Sequence, residues 1–201
     1  SALIRAIILS SRVADISSHI NEGSFSNFLL KPLGIISYYL TRDFADKLLN
    51  ISFVIVEILL ILYLLKPQFI VQQDLLILVL FFLATILGLI LYFAISFIIS
   101  IMAFWLENIV WGPQFLLMIF LEGLGGGLFP IDILPEKIAT IFLLTPFPYF
   151  IYFPSKVYLG NLETQAIIQG FLVLIFWIII AWFLMSKILH AGLKKHSAEG
   201  H

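Results

Sequence analysis

Two carboxylates lie inside long apolar runs of the sequence, and these residues are the best placed to do chemistry. Glu57 lies near the middle of its run, whereas Glu122 lies within about two helical turns of the end of its run. A carboxylate in hydrocarbon is costly, so each is a candidate for substrate handling or proton transfer. Hydrogen bonding between helices would explain either residue equally well. Glu57 is the better candidate, because Glu122 is close enough to the boundary to reach water.

The residues that other chemistries require are missing or wrongly spaced. The sequence contains no cysteine, which excludes disulfides, thiolate metal sites and a thiol nucleophile. The glycine run at 123–127 is not followed by the Gly-Lys-Ser/Thr of a phosphate loop, and close helix packing explains it better. We therefore predict no catalytic residue, no metal site and no bound cofactor. The four histidines show no metal-ligand spacing; they are His19, His190, His196 and His201.

The composition places these residues in a membrane protein. Of 201 residues, 62% are hydrophobic and 11% are charged, whereas soluble domains have about 25% charged residues. Lipid must therefore be the solvent for much of the chain. The backbone in lipid has to satisfy its own hydrogen bonds, and no alternating strand pattern is present, so we predict an all-α bundle. The net charge of −1 and the absence of a basic stripe exclude nucleic acid as a partner.

The apolar runs predict four spans, since a bilayer needs about 20 apolar residues of helix. These spans are 48–65, 75–106, 109–129 and 167–185. The second run is long for one helix, and we predict a single span that is tilted or kinked near Gly88. Residues 1–11 are apolar but short, and they are interpreted as the end of a truncated span. The whole chain is predicted to form one transmembrane domain.

The positive-inside rule predicts that both ends of the chain are cytoplasmic and that the protein is a multi-pass protein of the cell membrane. Eight basic residues then lie on the cytoplasmic side and three on the other. The eight are Arg5, Arg12, Lys31, Arg42, Lys47, Lys187, Lys194 and Lys195; the three are Lys66, Lys137 and Lys156.

The cytoplasmic region 12–50 is predicted to contain short helices. One helix is expected to stop at Gly23, and a second unit at 25–31 ends before Pro32. An amphipathic helix then follows, whose pattern suits the membrane interface. This region is either a simple anchor or a docking site for a cytoplasmic partner. Its apolar face is Leu33, Ile36, Leu40, Phe44 and Leu48, and its polar face is Thr41, Arg42, Asp43, Asp46 and Lys47.

The outer region 130–166 is still apolar and rich in proline. About ten residues between Pro135 and Pro146 could be helical, which gives about 15 Å and covers half a bilayer. We therefore predict a re-entrant or interfacial half-helix that is buried in protein. A lid that only packs on the bundle is the alternative. Tyr149, Tyr152 and Tyr158 are expected to form an aromatic belt.

Several segments together resemble the ABC transporter permeases of the type-2 exporter family. The similarity is carried by 20–33 (INEGSFSNFLLKPL), by 127–135 (GLFPIDILP) with 146–149, 152–154 and 159–160, by 103–105 (AFW) and by 192–198 (GLKKHSA). The resemblance implies six spans, of which this chain lacks the first and most of the second. It also implies a second permease subunit, identical or different, and a separate ABC ATPase that binds ATP and magnesium.

The resemblance also assigns residues to two functional regions. The ATPase-coupling helix would contain Glu22, Gly23, Phe25, Phe28, Leu29, Leu30, Lys31 and Pro32. The re-entrant pair that caps the translocation path would contain Pro130, Asp132, Pro135, Pro146, Phe147, Tyr149, Pro154 and Gly160. The expected function is therefore an ATP-driven exporter permease. The alternatives are an ion- or proton-coupled transporter that uses Glu57, and a membrane scaffold or sensor subunit that transports nothing.

Overall fold

The computed structural model describes residues 2–13, 15–29, 34–65, 72–106 and 112–198. Every regular element within these ranges is helical, which confirms the predicted all-α class. The α-helices are α1 Ala2–Leu9, α2 Asp15–Asn21, α3 Ser26–Leu29, α4 Ile35–Leu65, α5 Leu75–Ile101, α6 Gly112–Leu124, α7 Glu136–Leu144, α8 Tyr152–Leu159 and α9 Thr164–Ala198. Short 3-10 turns lie at Met102–Phe104, Ile131–Ile133 and Phe147–Tyr149.

Helices α5 and α9 form the centre of the bundle and run antiparallel. Thr164, at the start of α9, shares a groove with Leu76 at the start of α5. Gly192, near the end of α9, packs against Phe104 just beyond the end of α5. We call the two ends of the bundle the Leu75 end and the Ile101 end. In the part of the chain that the structure describes, α4, α5 and α9 are the helices long and apolar enough to cross a membrane.

Helix α4 joins the predicted interfacial helix and the first predicted span into one continuous helix of 31 residues. The helix begins at the Ile101 end, where the Tyr39 ring lies 6.1 Å from the Phe97 ring of α5. Leu40, Phe44 and Leu48 are exposed on its surface. Arg42 and Asp43 of the polar face contact Asp15 of α2 and Ser11, so part of this face meets the bundle.

Helix α6 is shorter than the span predicted at 109–129. Its 13 residues give about 20 Å, less than the hydrocarbon core of about 30 Å. It begins near the Ile101 end, where Gln114 Nε2 donates to Ser100 Oγ at 2.8 Å. The chain turns after Leu124, and Gly126 has a φ of 77° that favours glycine. Helix α5 passes through Gly88 without interruption.

Helices α7 and α8 form a hairpin on the Leu75 side of the bundle. Helix α7 occupies the interval between Pro135 and Pro146, where the sequence predicts a half-helix. A 3-10 turn at Phe147–Tyr149 forms the tip of the hairpin. Helix α8 ends at Gly160, which adopts a left-handed φ of 67° and caps the helix.

Candidate functional site

The tip of the α7–α8 hairpin lies deep inside the bundle, as two independent contacts show. Gly88 is about 20 Å along α5 from Leu75, and a Cβ atom placed on it would lie 2.8 Å from the Tyr149 carbonyl oxygen. Trp177 is about 20 Å along α9 from Thr164, and its Nε1 donates to the Leu144 carbonyl at 2.9 Å. Because α5 is about 40 Å long, both helices place the tip about halfway along the bundle, near the middle of a hydrocarbon core of about 30 Å.

Contacts along both sides hold the hairpin at this depth. At the Leu75 end, Gln72 Nε2 donates to the Tyr158 carbonyl at 2.9 Å. At the tip, the Phe147 ring stacks on Phe120 of α6 with a centroid distance of 5.5 Å. Pro154 is buried within α8. Helix α8 and the tip are thus packed on α5, α6 and α9, as backbone at membrane depth requires. Helix α7 itself has no buried residue, so the prediction of a half-helix buried in protein is wrong for α7.

Asp132 connects the segment before α7 to helix α8. Its carboxylate accepts a hydrogen bond from Tyr152 at 2.6 Å and pairs with Lys156 at 2.5 Å. Partial burial raises the pKa of Asp132, but the hydrogen bonds from Lys156 and Tyr152 and the Lys156 charge outweigh it, so the pKa is held below its ordinary value. Pro130 and Pro135 flank this short turn.

Replacing Asp132 with asparagine is expected to lower stability at pH 7 by up to about 1 kcal/mol, because the ion pair is partly exposed. A carboxylate with a lowered folded-state pKa stabilises the fold above its ordinary pKa, and this contribution is lost as pH falls through the folded-state pKa. The difference between the two proteins should therefore be present at pH 7 and shrink as pH falls below the ordinary pKa of an aspartate, as measured by thermal unfolding. Replacement of the exposed Glu163 with glutamine is the control, and a difference that does not change as the pH is lowered would contradict the assignment.

Glu122 lies near the hairpin tip and not at the boundary of the bundle, so the expectation that it reaches water is wrong. It is 7% exposed, and it pairs with Arg5 of α1 at 2.6 Å. Gly127 lies directly on its carboxylate, where a Cβ atom could not fit. The chain after α6 thus folds back over Glu122. The ion pair between Arg5 and Glu122 links α1 to α6 beside the hairpin tip.

Glu57 lies on the exposed surface of α4, far from the other candidate residues. Within the described ranges it forms no hydrogen bond or ion pair, and its apolar neighbours Phe53, Val56 and Leu60 are exposed as well. The structure does not bring Glu57 and Glu122 together. A role for Glu57 in proton transfer stays a prediction.

The segment 15–29 packs against the Ile101 end through two aromatic residues. Phe25 is fully buried, and its ring meets Phe104 edge-on at 5.3 Å. The Phe28 ring lies 5.7 Å from Tyr39 of α4. The left-handed Gly23, with a φ of 72°, allows the chain to turn between α2 and α3. Phe25 and Phe28 therefore anchor the segment on α4 and α5.

Four residues of this segment are exposed in the part of the chain that the structure describes. They are Asn21, Glu22, Gly23 and Asn27. We call them the Glu22 edge, and they lie at the Ile101 end. The predicted coupling residues Leu30, Lys31 and Pro32 lie outside the described residues, and the side chain of Leu29 does as well.

Polar contacts tie the segment before α3 to α4, and the sequence did not predict them. Arg42 pairs with Asp15 of α2 at 2.7 Å. Asp43 accepts a hydrogen bond from Ser11 and pairs with Lys47, and both charged side chains are almost completely buried. The sequence does contain a signal for the second pair, because Asp43 and Lys47 have opposite charges and lie four residues apart on a predicted helix. These contacts make α1, α2 and the start of α4 one connected unit.

The two candidate regions lie at different ends of the bundle. One is the Glu22 edge at the Ile101 end, and the other is the hairpin inserted from the Leu75 end. No group of three or more His, Asp or Glu residues that could hold a metal is found in the described parts of the chain.

Comparison with known proteins identifies the group to which this architecture belongs. A family model described as ABC-2 family transporter protein matches residues 2–200. The chain belongs to the ABC-2 transporter family. Searches of curated proteins and of solved structures gave no match. As an ABC-2 protein it is a multi-pass membrane component of a transporter, and ABC-2 permeases generally work with an ABC ATPase. The predicted family resemblance is confirmed.

Proposed function

We propose that this protein is the permease subunit of an ATP-driven exporter, in which the Glu22 edge docks onto an ABC ATPase and the α7–α8 hairpin closes the path. A second permease subunit, identical or different, would complete the path. ATP and magnesium would be bound by the ATPase. The observation that carries the proposal is the division of residues 15–29 into a buried aromatic face and an exposed polar edge.

The buried face gives the docking edge a mechanical connection to the bundle. Phe25 contacts Phe104, in the 3-10 turn that follows α5. Phe28 contacts Tyr39 of α4. The ion pair between Asp15 and Arg42 adds a second link from α2 to α4. A displacement of the Glu22 edge would therefore move the ends of two spanning helices together.

A separate route leads from the docking region to the hairpin. Helix α1 precedes α2 directly, and Arg5 in α1 pairs with Glu122 beside the tip. Phe120, half a turn from Glu122, stacks on Phe147 of the tip. Movement of α1 would thus reach the hairpin through one ion pair and one ring contact. In this mechanism ATP drives the change because it binds more tightly to the closed ATPase dimer.

The orientation that this function requires agrees with the distribution of basic residues. Arg5 and Lys47 pair with carboxylates inside the bundle, so they should not be counted with a loop. Among the described residues, five basic residues then remain on the side of the Ile101 end and two on the other. The positive-inside rule therefore still favours a cytoplasmic Ile101 end, where an ATPase is available.

Charge reversal at the docking edge tests the proposal. Replacing Glu22 with arginine is expected to reduce co-purification of the cognate ATPase at least about tenfold, equivalent to about 1.4 kcal/mol of binding free energy. Thermal unfolding of the permease should stay nearly unchanged, since Glu22 is exposed. The matched control is Glu163→Arg, an exposed charge reversal at the Leu75 end.

The outcomes separate the proposed function from its alternatives. Equal ATPase retention by the Glu22 and Glu163 variants would overturn the docking assignment. Substrate movement in vesicles that lack the ATPase would favour an ion-coupled transporter instead. A complex that holds the ATPase but whose hydrolysis never responds to any transported solute would favour a scaffold or sensor subunit.

A further inference from the structure

One face of α9 near the Ile101 end carries basic residues that no part of the proposed mechanism uses. The opposite face is buried in the bundle through Ala181, Met185 and Leu189. The outward face holds a groove of about 500 Å³. No Asp or Glu occurs anywhere in α9. The groove is lined by Phe183, Ser186, Lys187, His190, Ala191 and Lys194.

The groove crosses the boundary between hydrocarbon and headgroups. Helix α5 has 27 residues and is about 40 Å long, so it exceeds a hydrocarbon core of about 30 Å. Gly192 packs on Phe104 just beyond the end of α5. Lys187 lies about 7.5 Å along α9 before Gly192, which places it near the edge of the core. Phe183 then lies within the hydrocarbon, and Lys194 lies beyond it.

The Lys187 side chain is turned towards the hydrocarbon and not towards water. Its Nζ lies 5.5 Å from the centroid of the Phe183 ring, one turn deeper in the membrane. His190 Nδ1 lies 2.7 Å from the Ser186 carbonyl, which can only accept, so this nitrogen carries the proton. An anionic headgroup at the membrane boundary would stabilise a lysine cation at this position.

We propose that this groove binds an anionic phospholipid, with the phosphate at Lys187 and an acyl chain along Phe183. The groove combines apolar and basic side chains, so it favours a ligand that is both apolar and anionic. An acidic segment of a protein partner would match the charges but not the exposed Phe183 in the hydrocarbon. Basic pockets at the ends of spanning helices are suited to such headgroups.

The test compares the full chain in nanodiscs of phosphatidylcholine alone and of phosphatidylcholine with phosphatidylglycerol at three to one. Phosphatidylglycerol should raise the thermal unfolding midpoint of the native protein. The Lys187→Gln variant should lose most of that rise and bind phosphatidylglycerol about fivefold more weakly, as expected for one cation at a surface. Lys137→Gln removes an exposed lysine from the other end of the bundle, and it should keep the full rise.

Several outcomes would overturn the proposal. Equal stabilisation of the native and Lys187→Gln proteins would show that the groove is not the site. An equal rise with millimolar inorganic phosphate would show a soluble anion site without lipid recognition. Loss of ATPase co-purification in Lys187→Gln with an intact phosphatidylglycerol effect would assign the groove to a protein partner. None of these results depends on whether the Glu22 edge binds the ATPase.

Discussion

Replacing Arg5 with glutamine is expected to lower the free energy of unfolding by about 1–3 kcal/mol, because the buried Glu122 carboxylate loses its cation while Arg5 itself is 40% exposed. The Glu122 side chain is 9% exposed, and Arg5 brings a cation to within 2.6 Å of it. Both carboxylate oxygens are buried and accept no hydrogen bond in the described structure. Without Arg5 the carboxylate would stay buried with no compensating charge. Unfolding of the purified protein in mixed micelles measures this loss.

A second substitution distinguishes the ion pair from simple damage to α1. The double variant Arg5→Gln with Glu122→Gln leaves no buried charge, so it should recover at least half of the lost stability. Arg12→Gln is the matched control, because Arg12 is 66% exposed and lies 3.9 Å from Asp46. Its effect should stay within about 1 kcal/mol. A double variant no more stable than Arg5→Gln alone would show that the ion pair is not the cause.

The same pair should matter for transport if α1 links the docking region to the hairpin. The double glutamine variant restores stability but not the electrostatic link between α1 and α6. We therefore expect it to fold, to retain the ATPase and yet to show weaker coupling of hydrolysis to transport. This result would separate the role of the pair in coupling from its role in stability.

Features that depend on local sequence were predicted well. Three of the four long apolar runs form long helices in the described structure, since a helix is the way a lone segment satisfies its backbone in lipid. Pro135 and Pro146 bound α7 because proline cannot continue a helix beyond its first turn. The turn at Gly23 required only a residue that tolerates a positive φ.

Features that depend on neighbouring helices were not predictable from the pattern. The alternation of Asp43 and Lys47 with apolar residues indicates that α4 has a polar and an apolar face. It does not indicate which of the two faces packs on the bundle. From the sequence, Phe25 could contact a partner or anchor its own segment on the bundle. Its contact with Phe104 shows that it is an anchor. Glu122 was placed near a boundary because hydropathy does not reveal that α6 ends early. Its partner Arg5 is far away in sequence, so spacing could not indicate it.

Replacing Gly88 with alanine is expected to lower the free energy of unfolding by about 1–3 kcal/mol, the usual effect of overpacking. The added Cβ would lie 2.8 Å from the Tyr149 carbonyl oxygen and 3.8 Å from the Phe150 Cα. These are backbone atoms, so a rotamer change cannot relieve the contact. The hairpin tip must move away from α5, and we expect export by the reconstituted complex to fall as well. Valine at this position should have a larger effect.

The matched control is Gly123→Ala, which makes the same substitution in α6 where nothing lies within 4 Å of the added atom. Alanine favours a helix over glycine by about 1 kcal/mol, so this variant should lose no stability. The same preference acts at Gly88, and a loss there must therefore come from the hairpin. If both variants were as stable as the native protein, the tip would not rest on α5. The depth of the hairpin would then depend on its contacts with α6 and α9, and its role as a gate would lose its main support.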